Sequence, residues 1–96
     1  MVKVFWNDKE IASSDKTKVV EGNHYFPPES VKMEYFKKSD HHTTCPWKGE
    51  AYYYHLKDGE QQENNAAWYY PEPKEEAEKI RDHVAFYTNK VDVKEQ

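Results

Sequence analysis

The residues best suited to chemistry lie close together in one stretch, residues 41–56, which reads HHTTCPWKGEAYYYHL. It contains Cys45, the only cysteine of the chain, with His42 three residues before it and Lys48 three residues after it. A cysteine becomes nucleophilic when a nearby cation or histidine lowers its pKa. If Pro46 turns the chain, His42 could act as a base and Lys48 as electrostatic support. Cys45 could instead pack in the core, as free cysteines often do, or contact a ligand without reacting.

The histidines raise the question of a metal site. His41, His42 and Cys45 form an H-H-x-x-C cluster, and zinc binds histidine nitrogen and cysteine sulfur, usually with four ligands. The candidates for a fourth ligand are His24, His55 and His83. No C-x-x-C pair is present, and adjacent histidines in a polar loop are more often solvated than ligating. We therefore expect neither a metal nor another cofactor.

Aromatic residues form the third feature. The chain has three Trp, eight Tyr and four Phe but a single Leu. Buried Tyr and Trp need partners for their polar atoms, which favours partly open pockets and interfaces. Most of these rings could simply replace the missing leucines in the core. If some of them wall a pocket, His42 could supply a further polar contact, and the predicted ligand-binding residues are Glu21, Cys45, Trp47, Lys48, Trp68 and Tyr70.

The elements that must position these side chains are mostly short strands. Valine and aromatic enrichment favours sheet over a helical bundle. The predicted strands cover residues 2–6, 10–13, 18–21, 48–56, 64–70, 84–88 and 91–94, and a bend is expected at residues 22–23 before His24-Tyr25-Phe26. The Asn7-Asp8 and Asp58-Gly59 pairs indicate tight hairpin turns, and the last two strands are expected to pair around residues 89–90. Alternation along a strand places Tyr52 and Tyr54 on one face and Tyr53 on the other.

The remaining segments are predicted to be short helices and a loop. A first helix is expected after Pro27, ending near Lys38, and a second over residues 74–81. Residues 39–44 are polar and are expected to form a loop. The sum is a mainly β domain of antiparallel sheets packed on each other, with one or two short helices.

Length and charge exclude several classes of protein. Ninety-six residues suit one domain. A net charge of −4 does not favour nucleic acid, which requires a concentrated positive surface. No apolar run approaches the roughly 20 residues of a membrane span, and the first residues lack the layout of a signal peptide. A single cysteine excludes an intramolecular disulfide framework, and we expect a cytoplasmic protein.

A sequence of motifs carries a family resemblance over nearly the whole chain. The segments VFWND, EIAS and VVE come first, and Tyr-Phe-Pro precedes an acidic segment. T-x-C-P-x-K-G, A-Y-Y-Y, N-x-A-W-x-Y-x-x-P and V-A-F-Y follow in that order. In these motifs the chain resembles the bacterial and fungal family catalogued as domain of unknown function 427.

This resemblance implies a single β-tent-like domain over residues 1–96, in which two antiparallel sheets lean together. Architectural relatives such as Yippee and the thalidomide-binding domain of cereblon carry zinc on two C-x-x-C pairs. Only Cys45 is present in this sequence, so zinc is not carried over, whereas an aromatic-walled pocket on one sheet is. Some members are labelled nucleotidyltransferases, but this sequence has no glycine-rich phosphate loop.

Three functions follow from these observations. We expect foremost a binding module with an aromatic-lined pocket for a small molecule or peptide. The first alternative is an enzyme that uses Cys45 as nucleophile. The second is a structural or interaction domain that forms a homodimer through exposed strands or aromatic faces.

Overall fold

The computed structural model describes residues 1–96 and is built mainly from strands, as predicted. The strands are β1 (Val2–Trp6), β2 (Lys9–Ser14), β3 (Lys18–Val20), β4 (Asn23–Tyr25), β5 (Phe36–Cys45), β6 (Gly49–Asp58), β7 (Gln61–Tyr69), β8 (Val84–Phe86) and β9 (Asp92–Glu95). The helical segments are three 3-10 turns, Pro28–Ser30, Met33–Tyr35 and Glu75–Ile80. None of them has the length or hydropathy of a membrane-spanning helix.

The strands form three antiparallel sheets. The largest has the order β5-β6-β7-β8, the second has the order β2-β1-β9, and β3 pairs with β4 in a two-stranded ribbon. A bridge between Phe26 and Val84 joins the end of the ribbon to β8. The prediction of packed antiparallel sheets with short helical turns is confirmed, and the ribbon is present in addition to the two larger sheets.

Tight turns connect the strands of the β1–β2 and β6–β7 hairpins. Asn7 and Asp8 adopt φ of 52° and 63° between β1 and β2, as expected of residues that tolerate the left-handed region. Gly59 adopts φ of 60° between β6 and β7. Both turns occur where the sequence predicted them.

The large sheet has two chemically different faces. Tyr52, Tyr54 and Tyr69 lie on the side that we call the tyrosine face, where Tyr54 and Tyr69 stack with ring centroids 4.5 Å apart. Trp68 and Tyr53 lie on the opposite side, the tryptophan face, because successive strand residues point in opposite directions. The separation of Tyr53 from its two neighbours was predicted correctly.

Each face is covered by a different hydrophobic cluster. The larger cluster joins the second sheet to the tyrosine face, and Val4, Ile11 and Leu56 are fully buried within it. The smaller cluster covers the tryptophan face with Tyr25 from β4 and Ile80 from the third 3-10 turn. The aromatic rings thus fill much of a core that contains a single leucine.

The prediction for residues 27–44 was wrong in two respects. The expected helix of one to two turns is two separate 3-10 turns that end at Tyr35 and not near Lys38, and the expected loop at residues 39–44 belongs to β5. Because β5 is an edge strand, most of its side chains are exposed and show no apolar alternation that would reveal a strand. Its register with β6 is also irregular between Lys38 and His42.

Two further predictions about the second half of the chain were wrong. The helix expected at residues 74–81 is a 3-10 segment with a kink at Ala77. The last two strands do not pair with each other. Instead, β8 extends the large sheet through β7, and β9 crosses to the second sheet, where Val93 lies opposite Val4 of β1.

Candidate functional site

The side chain of Lys48 is the centre of a compact cluster on the tryptophan-face side of the protein. Only 6% of Lys48 is exposed, although it is a lysine. Its ammonium pairs with the carboxylate of Glu21. Its Nζ lies 5.0 Å from the ring centroid of Trp47 and 5.8 Å from that of Tyr70. A buried ammonium needs such partners, because an unpaired charge is costly to remove from water.

The turn between β5 and β6 holds Lys48 in this position. Gly49 adopts φ of 112°, and a Cβ there would lie 3.3 Å from the carbonyl oxygen of Glu72. The carbonyl of Lys48 accepts a hydrogen bond of 2.9 Å from the backbone N–H of Lys74, whose ammonium donates to the carbonyl of Pro46 at 2.7 Å. The glycine is therefore required for close approach of the segment that follows β7.

The partner of Lys48 sits on the turn of the ribbon. Glu21 has φ of 53°, which is uncommon for a residue with a side chain, and about half of its side chain is exposed. The hydrogen bond from Lys48 holds the pKa of Glu21 below its usual value. Burial lowers the pKa of Lys48, but the Glu21 carboxylate and the nearby Tyr25 and Cys45 more than offset this and raise it. The pair is therefore charged at neutral pH.

Cys45 is half-buried at the end of β5 and packs against the smaller cluster. Burial raises the pKa of its thiol, but backbone N–H groups of Lys48 and Trp47 and the Lys48 ammonium favour the thiolate. The net result is a pKa below the usual value. The turn thus stabilises a thiolate without help from a histidine.

Trp68 and Tyr70 lie deeper in the cluster. The indole N–H of Trp68 donates a buried hydrogen bond of 3.1 Å to the hydroxyl of Tyr25. Burial raises the pKa of both Tyr25 and Tyr70, so both phenols remain protonated at neutral pH. Among these rings only Trp47 is substantially exposed, at 37%.

The structure therefore brings the six predicted ligand-binding residues into one neighbourhood. Glu21, Cys45, Trp47 and Tyr70 surround Lys48, and Trp68 joins them through Tyr25. None of the six lines a groove in the surface. Their side chains fill the space between them, so a ligand would meet this cluster at its outer edge, beside Trp47.

His42 does not belong to this neighbourhood. Its ring stacks over Tyr52 with centroids 5.9 Å apart, and its Nδ1 lies 3.3 Å from the Glu50 carboxylate. Residues three apart in a strand point to opposite faces, so His42 and Cys45 lie on opposite sides of β5. The prediction that His42 acts as a base for Cys45 assumed a loop at this position. In the strand the two side chains point to opposite faces, so His42 cannot act on Cys45 and the prediction is wrong.

The other histidines are also dispersed. His41 contacts Tyr53 with ring centroids 4.6 Å apart, whereas His42 lies on the opposite face. His24 bonds to Thr17, and its Nε2 lies 3.2 Å from the carboxylate of Glu95 in β9 of the second sheet. The H-H-x-x-C motif does not form a cluster in the folded chain, since its adjacent histidines diverge.

The largest groove lies on the tyrosine face and is lined by none of the six predicted ligand-binding residues. It has a volume of about 710 Å³ and is lined by Tyr52, Tyr54 and Tyr69. Val31 and Met33, from the segment between β4 and β5, form part of its wall. The exposed floor consists of Tyr52 and Tyr69, whose ring centroids are 6.1 Å apart at an angle of 36°.

Two charged residues line this groove without an ion-pair partner. Lys38 lies on the edge strand β5, and Asp82 precedes β8 on the other side of the sheet. Burial, the neighbouring Tyr69 and the Asp82 carboxylate raise the pKa of Tyr54 to about 12. The hydroxyl of Tyr54 is therefore a stable hydrogen-bonding group at neutral pH, close enough to Asp82 to sense its charge.

The sequence contained only part of the signal for this groove. Alternation placed Tyr52 and Tyr54 on one face, but Tyr69 joins them only through the β6–β7 register, in which it lies opposite Tyr52. The walls come from 3-10 turns and from Asp82, which has φ of 59°. Nothing in the sequence pattern brings these segments to the same face.

Comparison with known proteins supports the expected family. No curated protein matches the chain at a significant level. A family model described as "Domain of unknown function (DUF427)" matches residues 1–96, the full length of the sequence. The protein therefore belongs to the family of the domain of unknown function DUF427.

Proposed function

We propose that this protein is a binding module and that its ligand, a small organic molecule, binds in the groove of the tyrosine face. The observation that carries the proposal is the groove itself, with a volume of about 710 Å³. Ligand sites usually have volumes of roughly 300–1,000 Å³ and combine apolar walls with a few polar groups. The groove has both, since three tyrosines and two charged side chains line it.

The arrangement of the rings supports this proposal. Tyr54 is 8% exposed and stacks beneath Tyr69, whereas 38% of Tyr52 is exposed. The buried ring of Tyr54 holds the ring of Tyr69 in place. A ligand therefore binds to a ring whose position is already ordered. Ordering before binding reduces the entropy that the ligand must offset.

The first test is an NMR titration of isotope-labelled protein with a set of small aromatic and amide compounds that includes neutral, cationic and anionic members. We expect ligands to shift backbone amides of Tyr52, Tyr69 and Val31, and the Tyr52→Ala variant to lose these shifts. Tyr87→Ala is the matched control, because Tyr87 is also 38% exposed but stacks with Tyr53 on the tryptophan face.

The two variants separate binding in the groove from binding to any exposed ring. If both variants lose binding equally, the shifts report nonspecific contact with tyrosine. If no compound of any charge shifts the groove amides, the groove is not a ligand site and the proposal fails.

A second candidate function is thiol chemistry at Cys45, in which the thiolate forms a bond to an acyl or alkyl carbon while the bond from that carbon to a leaving group, such as a thiolate or a halide, breaks. The observation in its favour is the stabilisation of the thiolate by Lys48 and by two backbone N–H groups. Trp47, which is exposed beside it, offers a surface for the apolar part of a substrate. Glu21 keeps Lys48 charged, and this ammonium stabilises the thiolate once the thiol proton has passed to solvent, so the step does not require His42 as a base.

This candidate is tested by intact-mass analysis after incubation with chloroacetamide probes and thioesters. We expect one adduct on the wild-type protein, none on Cys45→Ser and slower formation on Lys48→Met. Equal rates for the wild type and for Lys48→Met would show that Lys48 does not activate the thiol.

A further inference from the structure

The polar groups of the tyrosine groove indicate the kind of ligand that it accepts. We propose that the groove binds an alkylammonium group, held over Tyr52 and Tyr69 with Asp82 as its counter-charge. This inference rests on the proposed function, because it assigns a ligand class to the same groove. It adds a prediction of charge that the binding proposal does not contain.

The spacing of the exposed rings fits a cation. The centroids of Tyr52 and Tyr69 are 6.1 Å apart, and their planes are tilted by 36°. An ammonium above the midpoint, in van der Waals contact with both rings, lies roughly 5 Å from each centroid, within the ~6 Å over which aromatic faces attract cations. A single bound group can therefore contact both rings at once.

The charges around these rings favour a cation over an anion. Asp82 lines the groove and makes no ion pair. The hydroxyl of Tyr52 donates to the Glu50 carboxylate at 3.2 Å, and Glu50 raises the pKa of Tyr52, with a smaller contribution from Glu72. Asp82 is thus the carboxylate that lines the groove, and Glu50 adds a second negative charge beside the hydroxyl of Tyr52.

Two cations oppose this arrangement. Lys38 lines the groove, and Arg81, whose pKa is raised mainly by its pair with Glu78, is also close enough to Asp82 and Glu72 for their charges to act on it.

Lys38 lies on β5, whereas Asp82 lies just before β8. The two strands at opposite edges of the sheet are separated by three strand spacings, or roughly 14 Å. An ammonium over Tyr52 and Tyr69, which lie on the two central strands, is therefore roughly 7 Å from each edge strand, and Glu50, which is bonded to Tyr52, adds the negative charge that favours a cation. A ligand that also carries a carboxylate could place it toward Lys38, and removing Lys38 should not weaken a ligand with a positive charge alone.

A matched pair of probes tests the proposal. Choline carries a trimethylammonium group, and 3,3-dimethyl-1-butanol has the same shape without the charge. We expect choline to shift the groove amides of the wild-type protein in an NMR titration, with an affinity about three- to fivefold higher than that of the alcohol. The affinity for choline should fall as sodium chloride is added, because salt screens the attraction to the carboxylates.

The variants make the assignment of charge specific. Asp82→Asn should weaken choline binding about three- to fivefold and leave the alcohol unaffected. Asparagine tolerates the φ of 59° at this position, so the fold should be retained, which the amide spectrum will show. Lys38→Ala should strengthen choline binding, because it removes a positive charge from the groove, and Tyr87→Ala should have no effect.

The outcomes separate the two proposals. If the alcohol binds in the groove as tightly as choline, or if Lys38→Ala weakens choline binding, the alkylammonium assignment is overturned while the binding proposal stands. If neither probe nor any neutral compound shifts the groove amides, both fail. An anion such as benzoate that binds more tightly than choline would reverse the predicted charge.

Discussion

Replacing Tyr25 by phenylalanine should lower the free energy of unfolding more than removing the hydroxyl of an exposed tyrosine does. Tyr25 is only 1% exposed, and its hydroxyl accepts the buried hydrogen bond from the indole of Trp68. Phenylalanine keeps the edge-to-face contact of the two rings, whose centroids are 6.3 Å apart. The substitution therefore removes an acceptor and leaves the packing in place.

The expected cost follows from the donor that remains. Trp68 is 9% exposed, so water reaches its indole N–H poorly once the Tyr25 hydroxyl is absent. Leaving a buried donor unsatisfied costs about 1–3 kcal/mol of folding free energy. For a domain of this size, that loss lowers the thermal midpoint by roughly 5–15 °C.

The assay is urea unfolding monitored by circular dichroism, with Tyr52→Phe as the control. The Tyr52 hydroxyl bonds to a carboxylate at the surface, where water replaces it, so its removal should change stability by less than about 0.5 kcal/mol. Hydrogen exchange of the Trp68 indole N–H should also accelerate in Tyr25→Phe. If both variants lose the same small amount, the Tyr25–Trp68 bond is not a buried constraint and the reasoning fails.

Three more predictions concern titrating groups. Burial raises the pKa of Tyr54 to about 12, so Tyr54 loses its phenolic proton at a lower pH in the unfolded chain than in the folded protein. The free energy of unfolding should therefore fall between about pH 10 and 12. Tyr54→Phe should reduce this fall when unfolding is measured at alkaline pH. Glu21 has a lowered pKa, so its contribution should be present above its usual pKa and disappear as the pH falls, and Glu21→Gln should show a weaker acid dependence by the same assay. When the rate of Cys45 alkylation by iodoacetamide is plotted against pH, it should rise at a lower pH in the folded protein than in protein unfolded by urea. Lys48→Met should shift the profile of the folded protein toward higher pH. Identical profiles for folded and unfolded protein would contradict the effect of the turn on the thiol pKa.

The sequence predicted the elements that carry strong local signals. Alternation and turn residues identified the β6–β7 hairpin and the opposite orientations of Tyr52 and Tyr53. The C-P-W-K-G motif led to Lys48 and its neighbours, because cysteine, lysine and tryptophan in one turn are conspicuous. These features depend on residues close together in the chain.

The features that were missed depend on contacts between distant segments. β5 is an edge strand with exposed, polar side chains, so no alternation distinguished it from a loop. The predicted loop placed His42 near Cys45, whereas the observed strand points their side chains to opposite faces. The groove requires Tyr69, Val31 and Asp82 to meet, and only the register of the sheet and the path of the 3-10 turns determine that.

The pairing of β9 with β1 has a consequence for synthesis of the protein. β1 is made first and β9 last, so the centre of the second sheet lacks one of its partners until residues 92–95 have left the ribosome. Val4 is fully buried in the folded protein, but during synthesis its neighbour on the β9 side, Val93, is not yet present. Until then the nascent chain exposes an unpaired strand edge, the kind of surface on which two unfinished chains can associate. A chain truncated before residue 92 would retain that edge permanently.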